Sequence, residues 1–132
     1  ALTLFPSTIG MSEIIETNGI LDSESRTHPI QIHGIRIEDH IMVSDIEKQL
    51  VQGSVEMFKT DQMGLIVGHR IAERLRLQLG DRVNIIGSAQ NFQLRITGIF
   101  ETGVSDIDKK RVYMNLITAR SFSGKRFGGS VF

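Results

Sequence analysis

The chain has no cysteine and no net charge, and it has no apolar run approaching the ~20 residues that a membrane-spanning helix needs. Without cysteine there is no disulfide scaffold, no thiol nucleophile and no Cys-ligated zinc. The compartment is left open, because a chain of 132 residues buries roughly two-thirds of its unfolded surface and folds without staples. Zero net charge removes any global pull toward DNA or anionic lipid. Residues 1–132 contain no signal-peptide pattern, internal repeat or low-complexity tract. What remains is an ordinary globular composition at the length of one domain. The sequence opens at Ala1-Leu2 and stops at Ser130-Val131-Phe132 inside a strand-like run. The expectation is an excised piece of a larger protein whose flanks carry any membrane anchors.

The zero charge hides an asymmetry. Residues 1–66 carry four Lys/Arg against ten acids, net −6, whereas residues 67–132 carry eleven against five, net +6. Complementarity between two lobes is the simpler reading; a polar partner surface on one lobe is the sharper one.

Periodicity supplies the coarse map. Leu2, Leu4 and Phe5 suit a strand or a short helix. Asn18-Gly19, flanked by Ile14-Ile15 and Ile20-Leu21, predicts a turn. Residues 28–35 alternate, with Ile30 and Ile32 on one face and Gln31 and His33 on the other. Residues 37–42 predict a turn of helix, and Ser44-Asp45 is a candidate cap for a helix over 46–51. Residues 52–60 predict an irregular crossover with Val55 and Phe58 inward, followed by a turn at 61–64. Leu65-Ile66-Val67 reads as a buried strand ended by Gly68. A helix over 69–77 puts Ile71, Ala72 and Leu75 on one face and leaves His69 toward water. Gly80 is expected to stop that helix. Residues 82–86 and 92–100 predict a hairpin around Gly87-Ser88-Ala89-Gln90-Asn91. A charged loop over 101–110, a strand over 112–114 and a helix over 116–122 follow, with a basic stretch at 124–129.

Nothing in this map has the wording of an active site. His28 and His33 fall on opposite faces of one strand, His40 and His69 lie on other elements, and no H-x-x-x-H pair exists. Glu101, Asp106 and Asp108 form a carboxylate cluster, but Lys109, Lys110 and Arg111 follow at once and suggest a solvated, self-neutralising loop. Asp106-Ile107-Asp108 lacks the Gly and distal Glu of a calcium loop. Ser7, Ser12, Ser88 and Ser121 have no nucleophile-elbow context. Gly64 and Gly68 precede a helix without the Lys-Ser/Thr of a phosphate loop; His69-Arg70 at that helix start is at most an anion contact. Arg111, Arg120, Lys125 and Arg126 are a candidate nucleic-acid patch with only Tyr113 and Phe127 as nearby aromatics. Catalytic, cofactor-binding and metal residues are therefore each expected to be none.

The order of motifs says more than any one of them. Ile66-Val67-Gly68, Ile71-Ala72, Leu75-Arg76-Leu77 and Leu79-Gly80-Asp81-Arg82-Val83 succeed one another. Phe92, Ile96-Thr97-Gly98-Ile99-Phe100 and Glu101-Thr102-Gly103 come next, then Val112-Tyr113-Met114 with Leu116, Thr118-Ala119 and Phe122. Upstream stand Pro29-Ile30-Gln31-Ile32-His33-Gly34-Ile35 and, with looser spacing, Gly53 and Met57-Phe58. Over residues 12–122 this order resembles the extracytoplasmic domain of ABC-transporter permeases of the MacB/FtsX-like, lipoprotein-releasing type.

The resemblance implies an α+β fold with small mixed sheets and short helices in two lobes. Residues 1–62 and 116–132 would form a porter-like lobe and residues 63–115 a smaller inserted lobe, with the strand begun at Val131-Phe132 continuing beyond the chain. It implies a bacterial inner-membrane protein whose domain here is periplasmic or extracytoplasmic, placed between the first two membrane helices. Expected partners are a second permease subunit, a cytoplasmic ATPase reached through the membrane helices, and a periplasmic adaptor, with no nucleic acid. Chaperone-docking members carry a long arm between the strands matching 82–87 and 92–100; the five residues here are too short for one. The rival reading is a free-standing binding module that meets nucleic acid through its basic C-terminal half.

Overall fold

A computed structural model of the chain describes residues 14–24, 26–40, 45–87 and 90–123. Two ten-residue strands, β1 (Ile14–Ser23) and β2 (Arg26–Ile35), form an antiparallel hairpin. Two single turns of helix, α1 (Ile37–His40) and α2 (Ile46–Gln49), lead to β3 (Leu50–Gly53) and α3 (Val55–Thr60). The fully buried β4 (Gly64–Gly68) runs straight into α4 (His69–Leu75). The hairpin β5 (Arg82–Ile86) and β6 (Asn91–Phe100), the short α5 (Ser105–Asp108), β7 (Arg111–Asn115) and α6 (Leu116–Ser123) complete the order.

The strands pair in the order β6-β4-β7-β2-β1-β5, and β5 pairs back onto β6, which closes a six-stranded ring. The two edges of β6 are visible in successive peptides. Arg95 N–H donates to the Met63 carbonyl on the β4 side, and Ile96 N–H to the Asp81 carbonyl on the β5 side, both at 2.9 Å. β3 takes up the end of β6, with Gly53 opposite Gly98 and Leu50 opposite Phe100. Two neighbours are parallel, β2 with β7 and β4 with β6; the others are antiparallel.

Alternation along the strands fills the ring. Leu21, Ile32, Leu65, Ile85, Leu94 and Val112 come one from each strand and share a single apolar cluster. Each such burial is worth about 1.5–3 kcal/mol. β4 and β7 run antiparallel, so the helices that follow them lie at opposite mouths. α4 closes one mouth with Ile71, Ala72 and Leu75, and α6 closes the other with Ala119 and Phe122. The outward residues Ile66, Phe100 and Tyr113 belong to a second cluster, where Ile37, Ile46 and Phe58 from α1, α2 and α3 cover them.

The mixed sheet with short helices is as expected, in one sheet rather than several. Four local expectations change. Asn18-Gly19 lies inside β1, because ladder pairing to β2 runs unbroken from Ile14 to Ser23; the chain turns at Glu24 instead. The helix expected over 46–51 ends at Gln49, and Leu50 already pairs with Phe100; Asp45 precedes it without a side-chain cap. The crossover at 52–60 contains α3, capped by Ser54 Oγ accepting from Met57 N–H at 3.1 Å, with Phe58 inward as expected. The helix at 69 stops at Arg76, whose φ is 56°, and Gly80 at φ 89° serves the next turn. Expectations for residues 1–5, 41–44 and 124–132 lie outside the described residues.

Candidate functional site

A polar cluster sits at the α4 mouth, where β4 meets α4 and α5. Gly68 begins it: a Cβ there would overlap the Asp108 carbonyl, so the glycine lets the two chains touch. Asp108, the last residue of α5, is buried at 1% exposure. Its Oδ1 accepts from Thr102 N–H at 2.8 Å and from the Thr102 hydroxyl at 2.7 Å. Its Oδ2 accepts from Gly103 N–H at 3.0 Å. His69 Nε2 lies 3.6 Å from Asp108 Oδ2 and 3.7 Å from Glu101 Oε2, and its Nδ1 lies 3.9 Å from Glu73 Oε2.

Burial pushes the Asp108 carboxyl up, but the Thr102 hydroxyl, the Thr102 and Gly103 N–H groups and nearby His69 outweigh it. The net result is a carboxyl held below its ordinary value. These contacts tie the 101–108 loop to α4. Asp108 faces backbone amides and an imidazole, the geometry of a fixed corner rather than of a group aimed at a substrate.

The expectation of a wholly solvated carboxylate loop is thus corrected at Asp108. It holds at Asp106, whose exposed carboxylate lies 3.7 Å from Lys109 Nζ. His69 is likewise corrected: its side chain is 20% exposed and set among three carboxylates rather than turned to water. Periodicity gives no signal for either, since the tie joins residues of different elements.

The other candidates stay apart. His28 donates from Nε2 to the Lys109 carbonyl at 2.6 Å. His33 is buried edge-on to Tyr113, with ring centroids 5.8 Å apart. The His40 side chain, Ser7, Ser12 and Ser88 lie outside the described residues. Ser121 is exposed on α6, and its carbonyl accepts from Gln90 Nε2 at 3.0 Å. Among the described residues no group of three or more His, Cys, Asp or Glu side chains is arranged to hold a metal ion. Arg111 reaches the Tyr113 hydroxyl from β7, and Arg120 stands on α6; Lys125 and Arg126 lie outside the described residues. A groove of about 550 Å³ runs between the outer face of β1–β2 and α5, lined by Asn18, Pro29, Gln31, Ile107 and Lys110.

No protein-family model matches the chain. Two curated relatives are the lipoprotein-releasing system transmembrane protein LolC of two strains of Xylella fastidiosa, each 25% identical over 121 residues. The match takes in 84% of this chain, and the chain spans 29% of the length of those relatives. Among solved structures, the extracellular domain of the noncanonic ABC-type transporter YknZ from Gram-positive bacteria superposes with a TM-score of 0.67 at 15% identity. That alignment covers 86% of this chain and 58% of the other. The periplasmic region of MacB from Actinobacillus actinomycetemcomitans superposes at 0.60 and 15% identity, over 83% of this chain and 49% of the other.

Sequence and fold agree on the class that the motif order over 12–122 resembles. The chain is similar in sequence to a lipoprotein-releasing system transmembrane protein and shares the fold of the extracytoplasmic domains of ABC-type transporters. Among the described residues no helix is long and apolar enough to cross a membrane.

Proposed function

We propose that the chain works mechanically as the non-catalytic extracytoplasmic domain of a bacterial inner-membrane permease. ATP-driven movement of membrane helices reaches the domain, which gates or squeezes a substrate or engages a partner. The ATPase is a separate cytoplasmic subunit or domain. The domain's own contacts are a second permease subunit and a periplasmic adaptor, not nucleic acid. The observation that supports this reading most is the filled ring with both mouths helix-capped. Such a body passes on displacement as a unit, because close-packed interiors deform little.

The proposed division into a smaller inserted lobe, residues 63–115, and a porter-like lobe, residues 1–62 and 116–132, is one of chain segments and not of the ring, to which β1 and β2 contribute two of the six strands. The β5–β6 connection, residues 87–90, is too short to be a docking arm for a soluble lipoprotein carrier: four residues reach about 14 Å fully extended and must also return. The test is a topology fusion in the full-length parent protein, with alkaline phosphatase inserted after Gln90. Phosphatase activity in intact cells is expected. Activity of a cytoplasmic reporter alone at that position would overturn the reading.

A further inference from the structure

A cleft opens at the α4 mouth between the tip of the β1–β2 hairpin and the chain leaving α4. Its volume is about 300 Å³, and Glu24, Arg26, Leu75, Arg76, Asp81 and Arg82 line it. Glu24 and Arg76 are the two non-glycine residues with positive φ among the described residues, at 48° and 56°. Both stand where the backbone alone favours Gly or Asn. Glu24 opens the tight loop between the paired Ser23 and Arg26, and Arg76 is the left-handed cap of α4. Left-handed non-glycine residues persist where the surroundings hold them, and they gather at ligand sites. Twice the chain sets a long charged side chain where a small residue is easier, and both line the same cleft.

The charges are arranged unequally. Arg26 Nη1 donates to the Arg74 carbonyl at 3.0 Å, which fixes that guanidinium beside the end of α4. Asp81 Oδ2 accepts from Gln78 N–H at 2.8 Å, so one of its oxygens is turned to the backbone. Arg76 and Arg82 make no ion pair and no side-chain hydrogen bond among the described residues. Two free guanidiniums therefore stand beside an anchored one, and planar guanidinium forks match tetrahedral oxyanions through paired N–H donors. The lining has no aromatic ring on which a base could stack. Glu24 and Asp81 oppose a large polyanion.

We propose that the cleft lined by Arg26, Arg76 and Arg82 is a binding site for a small phosphate-type oxyanion, either a free phosphate ester or the headgroup of a phospholipid. The site is formed by this chain's own side chains, and the proposal does not depend on which substrate the transporter moves.

Calorimetry on the 132-residue chain with inorganic phosphate and with glycerol phosphate tests it, alongside co-sedimentation with phosphatidylglycerol or phosphatidylcholine vesicles. Saturable binding is expected, weakened about tenfold by Arg82→Gln and by Arg76→Gly, as for loss of a charge-assisted hydrogen bond. Lys59→Gln, at an exposed position of α3, should leave it unchanged. Arg76→Gly separates binding from folding: glycine suits the left-handed cap, so this variant melts no lower than the parent while binding falls. Binding of the soluble phosphates assigns a free ester. Retention on phosphatidylglycerol vesicles alone, lost in the same variants, assigns a headgroup. The proposal is overturned if the parent chain binds none of these probes saturably, or if the Arg76→Gly, Arg82→Gln double variant binds like the parent.

Discussion

The two mouths of the ring are closed by different physics. α6 closes its end with hydrocarbon: Phe122 is buried, meets the Phe92 ring edge-on at a centroid distance of 5.5 Å, and sits over Gly87. The α4 end adds polar stitches, with Asp108 holding Thr102 and Gly103, and Arg26 holding the end of the helix. An apolar plug is indifferent to pH and salt; a stitched one is not. The carboxylate and guanidinium stitches thus stand at one end, while α6 at the other adds to its packing the neutral hydrogen bonds of Gln90 to the Ser121 carbonyl and of Thr118 to the Gln62 carbonyl.

Four substitutions break or sharpen that contrast. Phe122→Ala should have the largest effect, a loss of about 3 kcal/mol in denaturant unfolding, because it leaves a cavity under α6. Its cost should not change with pH. Asp108→Asn should cost roughly 2 kcal/mol at neutral pH by leaving a Thr102 or Gly103 donor unmatched.

The sign for Asp108 follows from linkage. Its folded carboxyl titrates below the ordinary 3.8, so its contribution is complete above that value and fades as pH falls through the folded one. The parent's melting temperature should therefore drop more steeply in acid than that of Asp108→Asn. Parallel acid limbs would show that the stitch carries no charge. Gly80→Val should cost about 1 kcal/mol or more, since a β-branched residue tolerates φ 89° poorly, although open space surrounds the site. Ile117→Gln, on the exposed face of α6, should shift stability by less than about 0.5 kcal/mol. A larger shift than that of Phe122→Ala would mean that α6 presents its other face to the ring.

What was legible followed the strength of local pattern. β4 into α4, the β5–β6 hairpin, and β7 into α6 are all readable from periods of two and 3.6, because each buries one face in a single apolar cluster. Asn18-Gly19 misled because a good turn pair yields to ten consecutive strand pairings. α3 is hard to read because six residues carry too little period, although Ser54 supplies its cap. The stop at Arg76 was unreadable, since nothing local asks an arginine to adopt φ 56°. Local pattern alone makes Asp108 and His69 solvated groups, because the contact that buries them joins the end of β4 and the start of α4 to a loop some forty residues later. The family resemblance rested on scaffold glycines and apolar spacing, and these are the features the fold uses.

The parallel pairing of β2 with β7 also sets the order in which the molecule can form. Gln31 lies opposite Arg111, eighty positions later in the chain. Until β7 exists, the inner edge of β2 has no partner, and the β1–β2 hairpin waits with an unpaired row of amides and carbonyls. Such distant pairing folds slowly and exposes intermediates to association. During synthesis the β2 edge of the early hairpin can therefore find its partner only once β7, ending at Asn115, has emerged.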